Sequence, residues 1–242
     1  MITRASYQDK RYKLLKSLID VERSVGLEIG GCDLPTVRPE KGNCHYADFR
    51  SADEMAEMWK IPRNTLCDIE YIIMRDKYLG DIIKDKFDYI VACHVLEHVP
   101  DPINYINQLK SLLSSGVGRL IFLTIPEKRE TFDRARASTN IDHILMDYHD
   151  GAVTPSFEHV LEFHRHWAGG GQNLVSIEDG FLYSKEYIKS GQADVHCHVW
   201  TDEEFFNMCQ ELIIYGFFPG LSIVNFQPTP PGFNEFTVVF ST

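Results

Sequence analysis

Apolar residues recur along this chain in short, nearly unbroken runs separated by amphipathic stretches, and that beat predicts its elements. Residues 7–24 set Tyr12, Leu15, Leu18, Ile19 and Val21 on one side among charges, the spacing of a helix. "VGLEIG" is a short apolar run closed by glycine, as in a buried strand. "NCHYADF" reads as a second strand closing on Asp48, followed by a charged helix from Ser51 to Trp59. "IEYIIMRD" is a third strand, ending on Asp76. "FDYIVACHVLEHV" begins as a fourth strand and turns at His94, and residues 102–114 carry a first-turn proline and an apolar stripe, so they read as a helix. "GRLIFLTIP" is a fifth strand. Strand and helix thus alternate to about residue 126, the pattern of a parallel α/β sheet.

The alternation stops over residues 127–200, which are polar, aromatic and rich in histidine. Two helices are expected there, "STNIDHILMDYH" and "SFEHVLEFHRHW", each opened by a serine able to cap it. The beat returns with "TDEEFFNMCQELIIYGF", which starts as a capping box, Thr201 with Glu204. "LSIVNFQ" and "NEFTVVFST" are two further strands, and their short connection favours an antiparallel pair at the end of the sheet. One domain over residues 1–242 is expected, with a core at 20–126 and 200–242 and a substrate-side insertion at 127–199.

Composition narrows the class. The 242 residues are 44% hydrophobic, enough for one full core. The formal net charge of −11 argues against nucleic acid as a partner, because phosphate neutralisation needs a basic face. Six cysteines without a C-x-x-C pair suggest neither a disulfide framework nor a zinc ribbon. The first residues lack the apolar stretch of a signal peptide, and no run is long enough to span a bilayer. A cytoplasmic protein is the expectation.

The first strand ends in Glu28, Gly30 and Gly31, where backbone N–H groups can approach a ligand closely. The dinucleotide pattern G-x-G-x-x-G fails, since Cys32 and Pro35 hold its later glycine positions, and no Gly-Lys-Ser/Thr follows for a P-loop. Asp48 and Asp76 close the next two strands at the carboxyl edge of the sheet, where an acid can accept hydrogen bonds from ribose hydroxyls.

"LEIGG", "YAD", "MRD" and above all "FDYIVACHVLEHVPDP" resemble the successive motifs of class I S-adenosylmethionine-dependent methyltransferases, and "NEFTVVF" matches their terminal antiparallel strand. The resemblance covers residues 25–126 and 200–242. It implies a Rossmann-like class I methyltransferase fold: α/β, a mostly parallel seven-stranded sheet with an antiparallel last strand, here with a helical cap. It also implies S-adenosyl-L-methionine as cofactor and S-adenosyl-L-homocysteine as product. Glu28, Gly30 and Gly31 would border the methionine portion, Asp48 the ribose and Asp76 the adenine, with His94 near the cofactor. The chain departs from the family's later glycines at Cys32 and Leu34. Residues 125–151 resemble methyltransferases of surface-polysaccharide and glycan-modification clusters, which implies O-methylation of a saccharide or a phosphorylated small metabolite. The alternatives are N-methylation of a small amine or amino sugar, and a non-catalytic binding module on the same fold.

Methyl transfer to a hydroxyl needs alignment, exclusion of water and a base for the proton. His143 and Asp147 stand one helical turn apart, in line with Thr139, so Asp147 can orient His143. In "DVHCHVW", His196 and His198 would project together from an extended chain, as alternative bases or as two ligands of a divalent metal. No third ligand has a diagnostic spacing, so metal-free transfer is the expectation. Lys128, Arg129, Arg134 and Arg136 form a basic cluster, and Arg134 and Arg136 could grip a phosphate or carboxylate on the acceptor. Phe132 and Asp133 would add a ring face and a hydrogen-bond acceptor.

Overall fold

The computed structural model describes residues 3–31, 33–167, 175–191 and 194–242. Helix α1 (Arg4–Leu18) leads into β1 (Val25–Ile29), β2 (Asn43–Asp48), α2 (Ala52–Trp59), β3 (Tyr71–Ile72), α3 (Leu79–Ile82), β4 (Tyr89–Cys93), α4 (Pro102–Leu112) and β5 (Leu120–Pro126). Helices α5 (Ile141–Asp150), α6 (Phe157–Trp167) and α7 (Ile177–Lys189) follow, and α8 (Asp202–Ile214), β6 (Ser222–Gln227) and β7 (Glu235–Ser241) close the chain. The strands form one seven-stranded sheet in the order β3-β2-β1-β4-β5-β7-β6. Pairing is parallel from β3 through β5, and β7 runs antiparallel to both β5 and β6. This is the mixed sheet of the Rossmann-like class I methyltransferase fold.

The central strands are covered on both faces, which is why they read as continuous apolar runs. In β4, Ile90 and Ala92 enter the larger core with α4 and α8, whereas Tyr89, Val91 and Cys93 enter the opposite core with Leu15 of α1. The two-residue alternation of a strand thus feeds two cores at once. Gly26 is required on β1, because a Cβ there would fall 2.1 Å from Tyr89 Cζ.

The structure revises several expected boundaries. The first helix starts at Arg4, capped by Thr3, and stops at Leu18. The third strand shrinks to Tyr71–Ile72, because as an edge strand it pairs only where it meets Ala47 and Asp48. Asp76 consequently lies in an exposed turn well past the strand. Asn140, not Ser138, caps α5 by accepting from His143 N, while the capping box of Thr201 and Glu204 forms as expected. Among the described residues no helix is long and apolar enough to cross a membrane.

Candidate active site

The glycines after β1 open onto a cleft of about 340 Å³ lined by Gly30, Gly31, Arg11, Cys93, His94 and Glu235. Gly30 has φ +71°, and a Cβ on it would lie 2.7 Å from Val95 Cγ2, while one on Gly31 would lie 3.2 Å from Pro35 Cβ. The loop therefore shows bare backbone to the cleft, as close approach by a ligand requires. Cys32 lies outside the described residues. Glu28 is fully buried and does not reach the cleft as a free acid: its carboxylate accepts from Thr36 N at 2.6 Å and Val37 N at 3.1 Å. It holds the shape of the loop that follows β1, and burial pushes its carboxyl up to about 7 against those two bonds.

Asp48 ends β2 half-buried, with Oδ1 accepting from Phe49 N at 2.7 Å, and burial raises its carboxyl. Phe49 borders a second hollow with Ile73, Met74 and Tyr105, and the Arg75 guanidinium sits 4.6 Å from its ring centre. An aromatic and aliphatic hollow beside an acid at the carboxyl edge suits a nucleoside. Asp76 itself is exposed.

His94 terminates β4 with φ +55°, a strained value for a non-glycine residue and one that turns its ring across the sheet edge. Its Nε2 lies 2.9 Å from Glu235 Oε2, and Glu235, fully buried on β7, also receives the Arg11 guanidinium. Burial alone would raise the Glu235 carboxyl, but His94 and Arg11 outweigh it and hold it below the usual range. These contacts staple α1, the end of β4 and the start of β7 around the cleft.

Among the described residues of 127–200, acids and histidines gather in two clusters. In the first, His196 Nδ1 lies 2.6 Å from Asp133 Oδ2. Asp133 is also bound by Arg136, which is fully buried and reaches Glu162 and the carbonyls of His196 and Cys197. Burial would raise the Asp133 carboxyl, yet His196 and Arg136 keep it low. Arg136 stands behind the site and fixes Asp133 and the 196–197 backbone, so it is not a free grip for an acceptor. Arg129 is likewise tied to Glu127 and Asp202, and Arg134 is exposed.

In the second cluster, Asp147 Oδ2 lies 3.2, 3.3 and 3.7 Å from the Nε2 atoms of His143, His159 and His198. His198 is fully buried, makes a 3.1 Å bond from Nε2 to Pro100 O, and is pushed down to about 3 by burial. The histidines of "DVHCHVW" are thus parted, not paired. Residues 194–199 are not a strand: Cys197 N and His198 N both donate to Glu97 O, and Val199 N donates to Thr139 Oγ1. Without strand alternation, His196 turns toward Asp133 and His198 toward Asp147.

The Asp147 cluster has a stability signature. The bond to Asp147 raises His143, and Asp147 is depressed because its histidine partners outweigh burial. The Asp147 contribution is present above its ordinary value of 3.8 and is lost as pH falls through its lowered folded value. The His143 contribution is present below 6.5 and is lost as pH rises through its raised folded value. Asp147→Asn should therefore cost about 1–3 kcal/mol between about pH 4 and 6.5. The gap to wild type in urea melts should narrow at pH 8.5, and a gap that widens there would contradict this coupling.

Sequence reasoning assigns no role to Glu97, His98, Arg11 or Glu235, and reads the helix face of His159, Glu162 and His166 as structural or solvated. Glu97 and His98 stood in plain view inside "HVLEHVPDP", the most specific motif in the chain, as an acid and a base beside the expected cofactor edge.

The methyltransferase-domain family matches residues 15–169, more than half the chain, and the protein belongs to it. It is an enzyme of the methyltransferase class. A crystal structure of an S-adenosylmethionine-dependent methyltransferase from Clostridium acetobutylicum superposes with a TM-score of 0.50 at 9% identity, covering 99% of this chain and 92% of that one. Magnesium protoporphyrin IX methyltransferase (ChlM) from Synechocystis with bound SAH matches at TM-score 0.46 and 10% identity, over 97% and 83% of the two chains. The CurJ carbon methyltransferase matches at 0.48 and 12%, over 99% of this chain but only 54% of that one. At such identities the likeness is one of fold. No curated protein matches the chain significantly.

Proposed function

We propose that this methyltransferase moves a methyl group from S-adenosylmethionine to a hydroxyl oxygen of a saccharide or a phosphorylated small metabolite. The observation that carries this reading is the Asp133–His196 pair at 2.6 Å. An ionised carboxylate only accepts, so Nδ1 of His196 keeps the proton and Nε2 offers a lone pair. The His196 ring lies 4.7 Å from that of His98, next to Glu97 and then His94 at the cleft. The hydroxyl is activated at this edge of the cleft.

When bound, the cofactor supplies a methyl carbon already activated on a sulfonium sulfur. The chain holds and orients: Gly30 and Gly31 present backbone, Glu28 fixes the loop, Asp48 accepts from the ribose, and His94 closes the cleft beneath the acceptor. Phe132 lies 4.9 Å from His196 and 6.0 Å from Phe163, which stacks on Trp167. Exposed ring faces beside polar groups suit the mixed surface of a sugar, and Arg134 next to them suits a phosphate. Helices α5, α6 and α7 would cap this acceptor side.

Calorimetry with S-adenosylmethionine, then methyl transfer from labelled cofactor across sugars, sugar phosphates and amines, tests the proposal. Cofactor binding and label on a sugar hydroxyl are expected. Absence of cofactor binding would sink the reading, and label confined to amines would replace the oxygen acceptor with nitrogen.

A further inference from the structure

Glu97 is 2% exposed, and neither of its carboxylate oxygens has a hydrogen-bond partner. An ionised acid left so is costly in a protein interior. Two ring nitrogens stand close to it: His94 Nδ1 at 3.7 Å and His98 Nε2 at 3.9 Å from Oε1. Ligand atoms of Glu97, His98 and His196 all lie within 4.8 Å of one another.

The outer hydrogen bonds set which nitrogens are bare. His98 Nδ1 lies 3.1 Å from both Val195 O and Asp194 Oδ1, and His196 Nδ1 lies 2.6 Å from Asp133 Oδ2. His94 Nε2 faces Glu235 at 2.9 Å. Each of these partners only accepts, so each ring in its neutral form places its proton outward and leaves its other nitrogen bare. Lone pairs and a carboxylate that converge with no donor among them repel one another. A small cation reverses that sign. Outward Nδ1–H bonds to a carbonyl and a carboxylate are also how metal-bound imidazoles are held.

The other histidine cluster fails the same test, although it is tighter, with His143 Nε2 2.8 Å from His159 Nε2. There Ser156 N donates to His159 Nδ1, and His198 Nε2 donates to Pro100 O. Nε2 of His159 therefore carries a proton inside the cluster and Nε2 of His198 spends its own on Pro100 O, so donors stand beside Asp147, although Asp147 Oδ2 itself has no hydrogen-bond partner.

We propose that Glu97, His98 and His196 bind a divalent metal ion of the zinc type at the acceptor side of the cleft. Two imidazole nitrogens and one carboxylate oxygen are a donor set of catalytic zinc, with a position left open for an oxygen ligand. The inference rests on the methyl-transfer reading for where the acceptor sits. It adds that the ion makes the bound hydroxyl more acidic, so that its proton leaves to water as the oxygen takes the methyl carbon, with the lone pair of His196 committed to the ion instead of serving as base.

The test uses the full-length protein, stripped with chelator and titrated with Co²⁺ alone, without cofactor or acceptor. One equivalent should bind with visible d–d absorption and raise the melting temperature. Glu97→Gln, near-isosteric, and His98→Ala should abolish the absorption band, Asp133→Asn should weaken binding by about 10–100-fold, and His159→Gln should leave it intact. Wild type that takes up no stoichiometric metal, or Glu97→Gln binding as wild type does, overturns the site. Because S-adenosylmethionine binding is measured separately, a metal-free protein that still binds cofactor refutes this inference alone.

Discussion

Asp133→Asn is expected to lower turnover by about 10²–10⁴-fold while leaving affinity for S-adenosylmethionine unchanged. The carboxylate fixes the tautomer of His196 through the 2.6 Å bond to Nδ1. An amide can turn its NH2 toward Nδ1, which moves the ring proton to Nε2 and removes the lone pair from the acceptor side. His196→Ala should lose a similar factor, and the double variant little more, because the two act as one unit. Asp133 also pairs with buried Arg136, so a loss of stability must be told apart from a loss of function. Glu162→Gln provides that control: it removes the other carboxylate partner of Arg136 and does not touch His196. The expected pattern is a fall in kcat for Asp133→Asn alone, with both variants folded by circular dichroism. Equal falls for Asp133→Asn and Glu162→Gln would mean that the network only supports the fold.

The fold was legible because the central strands are buried on both faces, so "VGLEI", "YIVAC" and "LIFLTIP" could be little else, and the cofactor edge followed from where those runs end. Edge strand β3 was overestimated, since after Ile73 N donates to Asp48 O the chain leaves β2, and Ile73 and Met74 serve the core and the second hollow. Between β5 and α8 the helices α5 and α6 were legible and α7 was not, and neither cluster of side chains there was legible as a site. His143 and Asp147 meet through a local one-turn spacing, which periodicity captures. The bond of His196 to Asp133 spans 63 positions and that of Arg11 to Glu235 spans 224, and no local pattern encodes either. Arg136, expected to grip the acceptor, is instead buried, and its guanidinium organises the segment that carries His196. The bonds that Glu28 accepts from Thr36 N and Val37 N depend on how the loop after β1 folds back, which no local pattern encodes.

Arg11→Met should destabilise the protein by about 3–5 kcal/mol, the cost of leaving a buried carboxylate without its cation. Arg11 is 6% exposed on α1 and Glu235 is fully buried, and His94 would remain as its hydrogen-bond partner. Because desolvation of both partners opposes the pair, replacing both should cost much less than replacing one. Arg11→Met combined with Glu235→Leu should therefore recover most of the stability lost in Arg11→Met, as read from midpoints of urea unfolding. If the two losses instead add, the pair is not the source of the stability. The same double variant separates stability from function, because Glu235 also holds the Nε2 proton of His94 at the mouth of the cleft. A refolded, stable double variant with weakened cofactor binding would show that the β7 acid shapes the cleft through His94. Packing against α1 would then be only part of its work.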